Sequence, residues 1–208
     1  MLHRIVVVGG GAGGLELATR LGRTLGKRKK AKITLVDANL THIWKPLLHE
    51  VATGSLNSTD NELNYVAQAK WNHFEFQIGR FSGIDRSAKV IELSATVDEK
   101  GHQLVPARSL NYDTLVIAVG SLTNDFGTPG AAEHCIFLDS PQHALNFHRR
   151  LLGAYLSAHA HSETDTAVNI AIVGAGATGV ELAAELRRAS QQLSAYGLDN
   201  IQPDNMCI

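Results

Sequence analysis

The hydrophobic pattern opens with a short β-branched run, Arg4-Ile-Val-Val-Val8, of the kind buried on both faces of a parallel sheet. It breaks at Gly9–Gly14 and resumes at helical spacing with Leu15, Leu17, Ala18, Leu21 and Leu25. Gly26 and Lys27-Arg28-Lys29-Lys30 end that helix with charge suited to its C-terminus. Lys32-Ile-Thr-Leu-Val-Asp37 reads as the next strand, which completes a β-α-β unit with short turns. Residues 38–60 show no period, and a connection of that length in a compact domain points to a functional loop or to disorder. The pattern then predicts a helix over Asn61–Ala69, a half-exposed strand over His73–Ile78, and a hairpin of Lys89–Leu93 with Leu104–Arg108. A buried strand over Asp113–Val119 follows, and Thr128-Pro129-Gly130 marks a linker. Ser140-Pro141 starts a helix whose core face is Ala144, Phe147, Leu151 and Tyr155. A second β-α unit begins at Val168.

The second unit repeats the first. Residues 5–21, IVVVGGGAGGLELATRL, match residues 170–186, IAIVGAGATGVELAAEL, at 10 of 17 positions with a constant offset of 165. Each copy sets G-x-G-x-x-G between an apolar strand and a helix: Gly9, Gly11 and Gly14, then Gly174, Gly176 and Gly179. The first glycine permits a tight turn, the second lets the backbone approach a pyrophosphate, and the third lets helix pack closely on strand. The helix N-terminus then offers free N–H groups to the phosphates. Asp37, at the end of the second strand, is placed to accept hydrogen bonds from an adenosine ribose; a solvated turn residue is the plainer alternative. Two fingerprints in one chain imply two dinucleotides.

Composition narrows the chemistry. A chain of 208 residues that is 44% hydrophobic and 19% charged can bury one large core or two small ones. Its net charge of −1 gives no reason to expect nucleic acid as a partner. Cys135 and Cys207 lie 72 positions apart, so no CxxC redox pair or cysteine metal site is available, and a reducing compartment fits. Met1–Arg4 runs straight into the first strand, with no secretory signal ahead of it. No apolar run reaches the length of a membrane span. His49-Glu50-x-x-Thr53 is half of a zinc-protease helix, but threonine stands where the second histidine ligand belongs, so no metal is expected. His42 and His49 read as loop residues beside a cofactor, or simply exposed, and Trp44 as either a packing anchor or a cofactor neighbour. Lys27–Lys32 could touch anionic lipid or simply be a solvated turn.

Beyond the glycines, Asp37-Ala-Asn-Leu-Thr-His-Ile-Trp-Lys-Pro-Leu-Leu-His-Glu-Val-Ala-Thr-Gly54, Tyr112–Ser121, Cys135–Asp139 and Asn169–Leu186 resemble the corresponding segments of bacterial type II NADH dehydrogenases, within the pyridine nucleotide-disulfide oxidoreductase-like flavoproteins. The resemblance runs to about Gly197. It implies an α/β fold with two Rossmann-like units, residues 1–125 as the FAD-binding part and 126–208 as an incomplete NADH-binding part. It implies a non-proton-pumping oxidoreductase that takes hydride from NADH onto FAD and passes electrons to membrane quinone. By position, Gly9, Gly11, Gly14 and Asp37 match its FAD fingerprint. Lys45, Pro46, Leu47 and Leu48, with Thr53 inside Ala52–Gly54, match its loop near the flavin ring. Ala118 and Gly120 fall in a second FAD-lining turn, Gly174, Gly176 and Gly179 match the NADH fingerprint, and Glu181 matches a glutamate near the nicotinamide, the candidate catalytic residue. The partners so implied are NADH and quinone, with a homodimer as an allowed assembly.

Departures from that pattern carry their own expectations. The family continues with a third FAD-contacting segment, a quinone-site motif and a C-terminal membrane-binding region, none of which is in this sequence. After Ala195-Tyr196-Gly197 no β-branched run supplies the second unit with a partner strand, and Val180, Leu182, Ala183 and Leu186 are expected to be only partly covered. The second unit therefore reads as truncated, and the chain alone as weakly active or inactive. A full-length protein would be cytoplasmic and peripheral on the inner face of the cell membrane; a non-catalytic or regulatory dinucleotide-binding fragment is the competing class. Flavin disulfide reductases and sulfide:quinone enzymes need cysteines that residues 38–60 lack.

Overall fold

The computed structural model describes residues 1–57, 59–98, 100–160, 168–195 and 206–208. In chain order it begins with β1 (His3–Val8), α1 (Ala12–Leu21), β2 (Ala31–Asp37), β3 (Thr41–His42), α2 (Leu48–Thr53), β4 (Leu63–Asn64) and α3 (Tyr65–Asn72). Strands β5 (Glu75–Ile78), β6 (Phe81–Asp85), β7 (Val90–Leu93), β8 (Thr96–Val97), β9 (Gln103–Val105), β10 (Arg108–Asn111) and β11 (Thr114–Ile117) follow. The chain closes with α4 (Ala131–His134), α5 (Pro141–Ala160), β12 (Val168–Asn169), α6 (Ala177–Ala195) and β13 (Met206–Cys207). It divides into two compact units, Met1–Trp44 with Glu62–Ser121, and Lys45–Asn61 with Leu122–Ile208. Residues 45–61 group with the second unit in this division.

The first unit is built on a parallel sheet in the order β11-β1-β2-β5. Successive residues of β1 face opposite ways, as strand geometry requires. Ile5 and Val7 enter a core with Leu15 and Ala18 of α1, Ile33 and Leu35 of β2, and Tyr65 of α3. Val6 and Val8 enter a second core with Val36, Ile91, Leu93 and Tyr112, under an antiparallel sheet ordered β10-β7-β6. That double burial is why the strand is a continuous β-branched run; each such side chain contributes roughly 1.5–3 kcal/mol. Asp113 ties the sheet's first strand to its neighbour, accepting from Arg4 N at 2.8 Å, Arg4 Nε at 3.1 Å and Arg4 Nη2 at 3.0 Å. Those bonds hold the Asp113 carboxyl well below the usual carboxylate range.

Several expectations need correction here. Strand β11 lies at the sheet edge, so Ile117 is 51% exposed rather than buried. Strand β7 pairs with Arg108–Asn111, while Gln103–Val105 pairs with β8, so the predicted hairpin took the wrong partner segment. Residues 38–60 are not formless: they hold β3, a 3₁₀ turn at Lys45–Leu47, α2 and a second 3₁₀ turn at Thr59–Asn61. The helix expected over Asn61–Ala69 starts later, at Tyr65, where the Asn64 side chain caps it by accepting from Val66 N at 2.9 Å and Ala67 N at 3.1 Å.

In the second unit, α5 and α6 bring together Leu151, Tyr155, Ala158 and Leu186, with Val168 of β12 and Met206 of β13. Ser140 Oγ accepts from His143 N at 3.2 Å at the start of α5, as the Ser-Pro sequence predicts. The expectation of no partner strand after α6 is overturned. Met206–Cys207 pairs in parallel with Val168–Asn169, and Ile170 N donates to Cys207 O at 2.8 Å. Of residues 198–208, on which that expectation rested, 198–205 lie outside the described residues. A two-residue Met-Cys strand has no β-branched signature; what fixes it is Met206, which is buried in the core. Coverage of α6 is uneven: Leu186 is fully buried, Leu182 and Ala183 are half-buried and Val180 is 60% exposed.

Candidate functional site

The first glycine turn sits at the C-terminal end of β1 and is braced from three sides. Gly9 has φ +101°, a left-handed value that favours glycine, and a Cβ there would fall on the carbonyl of Ala118. A Cβ at Gly14 would fall on the carbonyl oxygen of Gly9, so α1 can pack against the turn only without it. Gly10 is closed off by Tyr65, whose ring occupies the space a Cβ would need and whose hydroxyl donates to Gly10 O at 2.7 Å. Gly11 is different. Its backbone, φ −60° and ψ −177°, suits any residue, and a Cβ would meet nothing within 4 Å. Neither conformation nor internal packing requires glycine there. Gly11 is also the N-cap of α1, with no side-chain cap and no acidic residue in the first turn. The helix end therefore presents amides to whatever lies outside the chain.

Asp37 closes this turn from β2. Its Oδ2 accepts from Gly10 N at 2.7 Å, and its Oδ1 accepts from Asn39 N at 2.8 Å and Asn39 Nδ2 at 3.2 Å. A carboxylate has about four acceptor positions, so one on Oδ2 stays available to a ribose hydroxyl. Tyr65 stacks on Phe76 at 5.1 Å and lies 6.3 Å from the His42 ring. Burial, and then the Asp37 charge, push the Tyr65 hydroxyl up, keeping it protonated as the donor to Gly10. Burial lowers His42, with Asp37 opposing, so that ring favours its neutral form. Of the second FAD-assigned turn, Ala118 is half-buried and donates from N to Val8 O at 2.7 Å. Gly120 has φ +73° and open space around it.

The second unit carries the remaining predicted residues. Lys45 and Pro46 are exposed and Leu47 is half-buried. Lys45 Nζ lies 3.2 Å from Asp139 Oδ1. Asp139 also accepts from Thr123 N at 3.0 Å and Thr123 Oγ1 at 2.8 Å. Burial opposes ionisation of Asp139, but the Thr123 and Lys45 bonds prevail and hold it below its ordinary value. Leu48 is 2% exposed and Thr53 7%, and Thr53 Oγ1 bonds back to the carbonyls of His49 and Glu50. Both side chains are thus committed to the interior. Gly54 ends α2 at φ +85°, where a Cβ would run into the ring of His148.

The repeat is stereochemical as well as textual. Gly174 has φ +116°, a Cβ at Gly179 would fall on the carbonyl oxygen of Gly174, and Gly176 has nothing within 4 Å. Gly176 thus matches Gly11: no internal contact requires it. Glu181 is the counterpart of Glu16 at the same offset of 165. It stands on the first turns of α6, half exposed, with Oε2 3.6 Å from His49 Nδ1. His49 Nε2 lies 3.9 Å from Glu50 Oε1, and the His49 side chain is 13% exposed. Sequence reasoning missed Tyr65 and His148 as neighbours of predicted residues, and it did not connect His49 with Glu181. These partners lie far along the chain, and no local pattern signals such contacts. Both cysteines are free and exposed.

The pyridine nucleotide-disulphide oxidoreductase family profile matches residues 3–201. The type II NADH:quinone oxidoreductase of Haemophilus influenzae is 48% identical over an alignment covering 100% of this chain and 49% of that protein. The type II NADH:quinone oxidoreductase NdhA of Mycobacterium tuberculosis is 30% identical, with 97% of this chain and 41% of that protein covered. The chain thus spans about half the length of the curated relatives it matches. Among solved structures, NDH2 from Plasmodium falciparum in complex with NADH superposes with a TM-score of 0.79 at 22% identity, covering 99% of this chain and 41% of that one. The sulfide:quinone oxidoreductase from Aquifex aeolicus follows at 0.67, also at 22% identity, covering 98% and 42%.

Proposed function

The chain belongs to the pyridine nucleotide-disulphide oxidoreductase family, and from that premise we propose that it is the FAD- and NADH-binding part of an NADH:quinone oxidoreductase. The observation that carries this reading is the pair Gly11 and Gly176. Each is a glycine that its own backbone and neighbours do not require, at the N-terminal end of a helix, in a turn whose first and last glycines, Gly9 with Gly14 and Gly174 with Gly179, are required by backbone conformation or by close packing. Room kept open at those two points, and at no cost to packing, suits two pyrophosphates. The order of FAD at Gly9–Gly14 and NADH at Gly174–Gly179, and the placing of Glu181 beside the nicotinamide, are carried over from the family resemblance of these segments.

In this reading Gly11 and the first amides of α1 bind the FAD pyrophosphate, and Asp37 takes the ribose while holding Gly10 in place. Gly176 and the first amides of α6 do the same for NADH. FAD, when bound, supplies the two-electron chemistry between NADH and quinone, so the protein's task is positioning and the exclusion of water. Lys45, Pro46 and Leu47, with the backbone at Leu48 and Thr53, belong to the ring-side contacts. Ala118 and Gly120 belong to the FAD-lining turn. The quinone, the inner membrane face and a homodimeric assembly complete the proposal for the whole protein. Among the described residues no helix is long and apolar enough to cross a membrane.

No thiol takes part in this scheme, which distinguishes it from disulfide reductases. Anaerobic addition of NADH to the FAD-loaded chain is expected to bleach the oxidised flavin band in a single turnover. The double variant Cys135→Ser/Cys207→Ser is expected to bleach at a rate within about twofold of the parent, well under the tenfold that 1.4 kcal/mol would represent. Loss of bleaching in that variant with FAD still bound would move the chain to a thiol-using mechanism. Steady-state quinone reduction by these 208 residues alone is expected to stay weak.

A further inference from the structure

The second unit holds a contact that the first, built on the same repeat, does not. Glu16 of α1 and Glu181 of α6 occupy equivalent positions. Glu16 is exposed and, among the described residues, forms no ion pair. Glu181 has an imidazole brought to it from α2, with His49 Nδ1 at 3.6 Å from its Oε2. Helix α2 is firmly seated for this. Leu48, Val51 and Ala52 are buried, the helix packs against both α5 and α6, and the Thr53 hydroxyl donates back to the carbonyls of His49 and Glu50. Residues three and four apart on a helix share a face, so His49 stands on the face of Ala52 and Thr53, both buried.

Two imidazole nitrogens, His49 Nδ1 and His148 Nδ1, are buried without a hydrogen bond among the described residues. A buried polar nitrogen without a partner is destabilising, and native folds rarely keep one. Of the two imidazoles only His49 has carboxylates beside it among the described residues: Glu181 toward Nδ1, and Glu50 at 3.9 Å from Nε2. A separation of 3.6 Å is too long for a hydrogen bond, by a few tenths of an ångström. The two side chains differ in freedom. The imidazole is packed, whereas Glu181 is half exposed on a flexible stem, so the carboxylate can close the gap.

We propose that His49 is the positioning residue for Glu181: its Nδ1–H donates to the Glu181 carboxylate and fixes that group toward the nicotinamide of the bound dinucleotide. The inference rests on the reading above that places Glu181 beside the nicotinamide. One carboxylate oxygen is then held by the imidazole, and the other stays available to the dinucleotide. A half-exposed glutamate left to itself must be ordered when its ligand arrives, and a fixed donor removes part of that cost in advance.

Two measurements test this. In NMR of the full chain labelled at its histidine nitrogens, at about pH 8 where an ordinary imidazole is neutral, the His49 signals are those lost in His49→Leu. Nδ1 should carry the proton, and Glu181→Ala should move it to Nε2, where Glu50 remains as acceptor. In calorimetric titration of the FAD-saturated chain, His49→Leu should weaken NAD+ binding by about fivefold or more. ADP-ribose, the same molecule without the nicotinamide, should bind within about twofold of the parent. His49→Asn, whose amide nitrogen reaches the place of Nδ1, should recover most of the NAD+ affinity, and His49→Gln, whose amide reaches the place of Nε2, should not. Equal loss of both ligands would reduce His49 to a tie between helices and overturn the proposal. So would parental NAD+ affinity in folded His49→Leu, or an Nδ1 without a proton. Parental NAD+ affinity in Glu181→Ala, with the imidazole result as expected, would overturn the placing of Glu181 beside the nicotinamide, and the proposal with it.

Discussion

Gly14→Ala is expected to cost the chain about 3 kcal/mol of stability, the upper range for forcing atoms into a packed interior. Gly11→Ala, three residues away, is expected to cost about 1 kcal/mol or less, the scale of an N-cap change. The asymmetry follows from where each Cβ would go. At Gly14 it meets the carbonyl oxygen of Gly9, a backbone atom fixed by the hydrogen bond from Gly9 N to Val36 O at 2.8 Å. At Gly11 it meets nothing. Ligand binding should rank the pair in the opposite sense relative to stability. Gly11→Ala should lower its urea midpoint far less than Gly14→Ala and lose FAD affinity by about tenfold or more, or 1.4 kcal/mol. Urea denaturation and flavin titration of the two variants would check this. Parental FAD affinity in a folded Gly11→Ala chain would remove the main support for a pyrophosphate at this turn.

Asp37→Ala is expected to damage both the fold and the site. Gly10 is buried, and its N–H has the Asp37 carboxylate as acceptor at 2.7 Å. Removing that acceptor leaves a buried donor unmade, a loss of about 1–3 kcal/mol. The Asn39 bonds to Oδ1, at 2.8 and 3.2 Å, are lost at the same time. FAD affinity should fall as well, through the ribose contact and through a loosened turn. Asp37→Asn retains one acceptor oxygen without charge, so it should recover part of the stability and little of the affinity. Denaturation midpoints paired with FAD titrations separate the two roles. Parental stability in Asp37→Ala would show that the carboxylate does not hold the turn, leaving only the ribose to account for it.

Much of the nucleotide turn was legible in the sequence because its determinants are local. A β-branched run, a glycine spacing and an acid at the end of the next strand sit within the first 37 residues. The register of β1 against β2, pairing Val8 with Val36, turns that pattern into a site. What could not be read is what depends on distant contacts. Tyr65 meets Gly10 across 55 positions, and nothing in the helix that carries it marks one face as a brace for a turn. The packing of α2 in the second unit depends on matching against α5 and α6, which no period within residues 45–61 encodes. Strand β13 was missed because two residues, Met206 and Cys207, lack any β-branched signature. The burial of the Leu48 and Thr53 side chains was likewise not legible in the segment that resembles a flavin loop.

The central claim is that the first glycine turn holds FAD, and a titration of the purified chain with FAD, followed by quenching of flavin fluorescence, tests it most directly. The account expects saturable one-to-one binding that ADP displaces, because ADP carries the same ribose and pyrophosphate. Fluorescence that falls linearly without saturating, or saturable binding that ADP does not displace, would contradict it.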